Sequence, residues 1–436
     1  MEKAYDLVIV GAGVSGTALL YALACYSDVK RIAIIEKYDQ AAAVNSHHNN
    51  NSQTLHFGDI ETNYTVEKAA RVKEAAVMVQ RYVEKHKGQL FHKTHKMVLA
   101  VGHAQSRKME KRYKEFKHLF PKLKIIRRKE IAKIEPKVVE GRDPNQEILA
   151  LYTPDGYIVN YRLLAESFID QALKAKGKKI DVVLGTCVDK IEGLNGKYRL
   201  YTPNWIFTAP VVVDCSGSNS LIHAKSLGIG KELGLLPVAG SFFGTKKKML
   251  NGKVYTLQMK KLPFAAIHGD PAVTNLDETR FGPTAKVLPL LERHKWKTMP
   301  DFLRTSIWNI RGVLSLLKII SDPILLKYVI RNLVYDMPFI GKRVFIKEIR
   351  KIIPNMKLKD LKYRKGFGGI RPQLVDTKAM KLNMGEAKLT GPNIIFNITP
   401  SPGASVCLDT AHKDAVSVAK MLGAKFNSKA FLKGHS

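Results

Sequence analysis

The stretch Gly11-Ala12-Gly13-Val14-Ser15-Gly16 constrains this chain more than any other because of what stands on either side of it. Asp6 to Val10 is a short apolar run, Thr17 to Cys25 has helical composition, and Arg31 to Glu36 is a second β-like run. A G-x-G-x-x-G between a strand and a helix opens a βαβ unit that seats a dinucleotide pyrophosphate on the helix N-terminus. Gly11 serves the tight turn, Gly13 the close approach of backbone to pyrophosphate, and Gly16 the packing of helix on strand. Glu36 ends the second run where a carboxylate can accept hydrogen bonds from the adenosine ribose. The motif by itself does not separate FAD from NAD.

Further along, Val66 to Lys87 and Gln105 to Phe120 read as solvated helices. Between Ile180 and Asp214 short β-like runs alternate with Gly and Asn turns, and the run Val211 to Val213 meets Asp214-Cys215-Ser216-Gly217. Thr284 to Pro354 is mainly helical in composition, apolar and basic together. Near the C-terminus, Ile394 to Ile398 reads as a buried strand, Thr399 to Gly403 as a turn and Ala404 to Leu422 as a helix.

At 436 residues the chain exceeds a typical single domain, and its formal charge of +33 sets up a long-range positive field. Such a field suits nucleic acid, an anionic membrane surface or an acidic substrate, and charge alone does not choose. There is no aromatic-interleaved basic motif and no zinc-finger spacing, so neither nucleic acid nor a metal is expected. Cys25, Cys187, Cys215 and Cys407 are scattered, without a C-x-x-C pair, and the N-terminus has no secretion pattern; a cytoplasmic address is the expectation. The most apolar region, Trp308 to Ile340, is interrupted by Arg311, Lys318, Asp322, Lys327 and Arg331, so membrane contact is expected to be peripheral.

The most individual stretch runs from Asn49 to Thr65 and contains His56, Glu61 and Asn63-Tyr64-Thr65. It resembles the early segment of the malate:quinone oxidoreductases. Further matches are Leu236 to Phe242, Leu262 to Pro271, Thr279-Arg280-Phe281-Gly282-Pro283, Gly369-Ile370-Arg371-Pro372-Gln373 and Ser401-Pro402-Gly403-Ala404-Ser405. Together these span most of the chain. The segments around Gly217 and Gly403 also resemble those with which D-amino-acid-oxidase-like flavoproteins enclose one FAD, although Cys215 departs from the usual small residue. The resemblance implies an α/β chain in which a Rossmann-like FAD-binding domain (1–80, 150–235 and 365–430) is intertwined with an α+β substrate domain (81–149 and 236–364). It further implies non-covalent FAD, oxidation of (S)-malate to oxaloacetate, and electron transfer to ubiquinone or menaquinone at the cytoplasmic face of the inner membrane. A related enzyme for 2-hydroxyglutarate or a D-amino acid is the alternative.

Oxidising a 2-hydroxy acid requires a base for the hydroxyl proton, and an imidazole titrates near working pH. His268, between an apolar segment and a Gly-Asp-Pro turn, is the first candidate and His56 the second. A dicarboxylate needs fixed cations that can bind it in a bidentate fork, for which Arg371 is the first candidate and Arg280 the second. Besides Gly11, Gly13, Gly16 and Glu36, the resemblance implies that Ser52, Gln53, Thr54, Gly217, Gly403, Ala404 and Ser405 bind the cofactor. The apolar-basic block from Thr305 to Lys365 has the composition of an interfacial surface facing anionic lipid.

Overall fold

A computed structural model describes residues 1–258, 266–383, 387–398 and 403–435. Of the expected turn at Thr399 to Gly403, all but Gly403 lies outside the described residues, as does the part of the Leu262 to Pro271 match from Leu262 to Ala265.

The strand Leu7–Val10, the helix Val14–Tyr26 and the strand Arg31–Ile35 form the expected βαβ unit. Both strands are parallel neighbours in a six-stranded sheet whose order is Ala387–Gly391, Ile394–Ile398, Val211–Asp214, Leu7–Val10, Arg31–Ile35 and Lys179–Val183. Only the first of these, Ala387–Gly391, runs antiparallel to its neighbour. The central strands are buried along their whole length and mostly apolar, as a sheet covered on both faces requires. Helix Val14–Tyr26 is buried almost all round because the helices Tyr161–Leu173 and Cys407–Leu422 flank it. Its side chains join those of Val66–His86 in one large core.

The second body is built on an eight-stranded sheet ordered Lys362–Tyr363, Phe243–Thr245, Asn275–Gly282, His268–Ala272, Lys253–Thr256, Phe91–Val101, Ile148–Val159 and Lys124–Arg127. A smaller sheet of Lys286–Val287, Leu233–Ala239, Ile370–Asp376 and Lys381–Asn383 carries Arg371 opposite Val238. The chain crosses repeatedly from one body to the other, so the two are intertwined.

Helices Met299–Ser306, Ile310–Ile320, Pro323–Tyr335 and Gly341–Ile349 form the basic block. Two of them carry apolar residues on their exposed as well as their buried faces. Helix Ile310–Ile320 buries Gly312, Ser315 and Leu316 but also exposes Ile310, Leu314 and Leu317, which are spaced along one face. Pro323–Tyr335 similarly exposes Leu326, Ile330 and Leu333. Together with Trp308 and Phe339, the latter 89% exposed, they make a concentrated apolar surface of a kind monomeric soluble proteins rarely present to water. Among the described residues, no helix is long and apolar enough to cross a membrane.

Candidate active site

The glycine turn opens onto a cavity of about 660 Å3 that runs between the two bodies. Gly11 has φ +95°, and a Cβ there would stand 2.8 Å from the carbonyl oxygen of Cys215. At Gly16 a Cβ would stand 2.0 Å from the carbonyl oxygen of Gly11, so this glycine does not line the cavity but lets helix and turn pack, the task expected of it. Gly13 is the N-cap of the helix Val14–Tyr26 and no side chain caps it from that position. Ser46 Oγ accepts from Val14 N at 3.0 Å, and no acidic residue occupies the first turn. The positive end of the helix dipole thus faces the cavity.

Glu36 lines the same cavity at the end of its strand. Its carboxylate accepts from the backbone N–H of Ala12 at 2.9 Å and of Tyr38 at 3.1 Å. Burial nevertheless raises its pKa, which these two bonds only partly offset. Carboxylate lone pairs remain for further donors. Gly217, from the turn after Val211–Asp214, and Gly403, Ala404 and Ser405, before the helix Cys407–Leu422, close other parts of the wall. Ser52 and Thr54 line it as well. Gln53 does not: with φ +55° it turns inward, where its amide donates to His48 O and accepts from Val273 N.

His56 reaches the cavity from the polar loop. Its Nδ1 lies 2.5 Å from Oε1 of Glu61, its Nε2 lies 3.3 Å from Oγ of Ser52, and its backbone N–H donates to Ser405 Oγ. Burial pushes the Glu61 carboxyl upward, but the His56 hydrogen bond and charge and the nearby Lys96 ammonium outweigh it and hold the pKa at about 2. A buried carboxylate that stays ionised beside an imidazole fixes ring orientation and tautomer.

Arg371 also lines the cavity. It follows Ile370, whose backbone is held on both sides by Asn45: Nδ2 donates to Ile370 O at 2.8 Å and Oδ1 accepts from Ile370 N at 3.1 Å. The start of the Arg371 strand is thereby tied to the loop that carries His56. Tyr64, Tyr255 and Tyr328 are close enough for their hydroxyls to act on the guanidinium electrostatically.

His268 and Arg280 are placed elsewhere. Neither lines the cavity, and both are buried in the strands His268–Ala272 and Asn275–Gly282. Asp270 is the centre of their group: Oδ2 meets Arg280 Nη2 at 3.0 Å and Lys253 Nζ at 3.2 Å, and Oδ1 lies 3.3 Å from His268 Nε2. Burial opposes the ionised Asp270 carboxyl, but the Arg280 and Lys253 cations hold it far below the ordinary carboxylate range. Burial lowers the pKa of His268, and that of Lys253 to about 8. Arg280 Nη1 reaches His48 O at 3.3 Å and Lys253 Nζ donates to Ser52 O at 3.0 Å, so both cations brace the polar loop from behind. The imidazole of His268 packs on Tyr255, whose hydroxyl pairs with Thr54 Oγ1 at 2.6 Å.

Sequence reasoning left out of the site Asn45, Ser46, Glu61 as the partner of His56, and Phe242. The available signal was the spacing of His56 and Glu61 within one polar loop; Asn45 and Ser46 gave none beyond their polarity.

The family model described as malate:quinone oxidoreductase matches residues 3–429. A protein of Campylobacter jejuni named "Probable malate:quinone oxidoreductase" is 42% identical, over 99% of this chain and 98% of its own. A Helicobacter pylori (strain J99) protein named "Malate:quinone oxidoreductase" is 41% identical with the same coverage. Among solved structures, L-alpha-glycerophosphate oxidase from Mycoplasma pneumoniae, described as dithionite reduced with FAD bound, superimposes with a TM-score of 0.68 at 16% identity over 97% of this chain and 96% of that one.

Proposed function

This chain belongs to the malate:quinone oxidoreductase family, and we propose that it is an FAD-dependent enzyme that oxidises (S)-malate to oxaloacetate and passes the electrons to a membrane quinone. The observation that carries the reading is that His56, held from behind by Glu61, and Arg371 open on the same cavity as the glycine turn and Glu36.

The residues present fit FAD. A helix N-terminus without a capping side chain at Gly13 accepts a pyrophosphate, the carboxylate of Glu36 accepts ribose hydroxyls, and the cavity continues beyond them to His56 and Arg371, leaving room for a ring system next to a substrate. FAD would be held without a covalent bond: burial raises the thiols of both cavity-lining cysteines, Cys187 and Cys215. Cys407 does not line the cavity and burial pushes its thiol up to about 12, while burial raises the Cys215 thiol further still. When bound, FAD supplies the acceptor for the hydride that leaves the substrate carbon.

In this reading Arg371 binds a malate carboxylate through its guanidinium fork and sets the hydroxyl-bearing carbon in the cavity. Nε2 of His56 takes the proton from the substrate hydroxyl while Glu61, bonded at Nδ1, keeps the ring turned toward the substrate and stabilises the imidazolium that forms. Ser52, 3.3 Å from Nε2, holds that nitrogen's place before substrate arrives. Arg280 and Lys253 act from behind the loop, bracing it through backbone carbonyls rather than binding the second carboxylate directly.

The exposed apolar stripes of Ile310–Ile320 and Pro323–Tyr335 support attachment to a bilayer, with the surrounding lysines and arginines near anionic headgroups. Quinone is dissolved in that bilayer, so we place the enzyme peripherally on the cytoplasmic face.

The decisive experiment is an anaerobic titration of the purified protein followed by its visible spectrum. A yellow protein bleached by (S)-malate supports the proposal; a yellow protein that malate leaves unchanged and 2-hydroxyglutarate bleaches would reassign the substrate.

A further inference from the structure

The wall of the cavity beyond Glu36 is not completed by the nucleotide-binding body. It is completed by a segment of the other body, Leu291 to Asp301, of which Leu291, Glu292, Lys297, Thr298 and Asp301 line the cavity. The segment is closed on itself: Thr298 Oγ1 accepts from the backbone N–H of Leu291 and Glu292 and donates to Lys295 O at 2.7 Å. Two adjacent residues of opposite charge fasten it in opposite directions. Glu292, only 5% exposed, accepts from the Lys37 ammonium with Oε1 and from the Tyr38 hydroxyl with Oε2, and these two residues directly follow Glu36. Arg293 donates through Nη2 to Ser241 Oγ at 2.9 Å and Asp336 Oδ2 at 3.3 Å, and through Nε to Gly240 O at 3.3 Å. The first set of bonds binds the segment to the nucleotide body, the second to its own.

We infer that the segment Leu291 to Asp301 is a binding element for the adenosine end of the dinucleotide, latched by Glu292 onto Lys37 and Tyr38. The inference rests on the FAD reading above. A ligand held without a covalent bond leaves only when its enclosure opens, and here opening at the adenosine end requires both bonds of Glu292 to break. Each is a charge-assisted hydrogen bond to a buried carboxylate, the kind whose loss is felt most. The latch therefore sets the rate of cofactor release, while the flavin end is held by other residues.

The test compares the wild-type holoenzyme with Glu292→Gln and Tyr38→Phe. Release of FAD after dilution is followed by the recovery of its fluorescence, and binding of FMN, which lacks the adenosine moiety, to each apoprotein is titrated in parallel. Glu292→Gln should release FAD about tenfold faster or more, Tyr38→Phe should do so to a smaller extent, and FMN affinity should stay at the wild-type level. Unaltered FAD release in both variants overturns the latch. Equal weakening of FMN binding overturns it too, since Glu292 would then support the cavity or the fold at large. A wild-type protein that binds no FAD overturns the cofactor reading itself, and is thereby distinguished from failure of the latch alone.

Discussion

Nδ1 of His56 and Oε1 of Glu61 stand 2.5 Å apart at the edge of the cavity that His56 lines, with Nε2 of the same ring turned toward Ser52. The two residues are close in sequence, so the pair is a property of one loop and needs no accident of distant packing to form. It gives the imidazole a fixed orientation and leaves one nitrogen for chemistry.

If His56 is the base, His56→Asn should retain FAD and lose kcat by about 10²–10⁴-fold, the usual contribution of general-base catalysis. His268→Asn, changed at a residue that does not line the cavity, should cost far less. Steady-state kinetics with malate and a soluble dye decide between them. A variant at His56 with near-normal kcat, beside an inactive His268 variant, would restore His268 to the first place.

Glu61 should carry a pH signature of stability. Its folded-state pKa of about 2 lies below the ordinary carboxylate value of 4.5. A depressed pKa contributes stability that is fully present above the unfolded value and disappears as pH falls through the folded one. The melting temperature of wild type should therefore exceed that of Glu61→Gln most clearly near neutrality, and the gap should narrow between about pH 5 and pH 2. A gap that is constant with pH would show that the ionised carboxylate is not what stabilises this loop.

Arg371→Lys retains the charge and loses the fork. KM for malate should rise by about tenfold or more while FAD content is unchanged, because a point charge replaces a bidentate contact. Unaltered KM would remove Arg371 from the substrate.

Arg280 is expected to matter for stability more than for binding. Removing one partner of a buried ion group costs about 3–5 kcal/mol, and Arg280→Met would leave Asp270 with Lys253 alone among its full-time cations. Denaturant unfolding of the apoprotein should show a loss of this order. A stable Arg280→Met protein with a raised KM would instead place the guanidinium at the substrate.

The nucleotide half of the site was legible in the sequence because its parts are consecutive: strand, glycine turn, helix, strand and Glu36 follow one another within the first elements. The substrate half was less so. His268 has apolar neighbours, which suggested a cofactor-facing position, yet every residue of His268–Ala272 is buried, and flanking apolarity does not tell which face of a doubly covered strand meets a cavity. Its charged companions Lys253 and Arg280 come from two other strands, and only their convergence on Asp270 shows that the group satisfies itself. Arg371 was legible from its glycine neighbours, but its tether Asn45 is distant in the chain, as Glu292 is from Lys37. Local order can be read from composition and spacing; the pairing of remote polar groups is decided by packing.

The membrane surface offers a test that separates attachment from catalysis. Ile310, Leu317 and Phe339 are well exposed, and their environment gives no packing reason for being apolar. Burying the exposed part of such a side chain in a bilayer interface is worth about 1 kcal/mol, so changing all three to Ser should weaken binding to anionic vesicles by roughly a hundredfold. Since none of these residues lines the cavity, turnover with a soluble dye should be unchanged, whereas turnover with a long-tailed quinone in vesicles should fall with binding. Neutralising Lys342, Arg343, Lys347, Arg350 and Lys351 to Gln should add a salt-dependent loss, because headgroup attraction is screened over about 10 Å at 0.1 M salt. High salt should then diminish wild-type binding without abolishing it, the apolar stripes retaining the remainder. Equal loss with dye and with quinone would mean that these helices support the fold or the active site, and the surface would need another explanation.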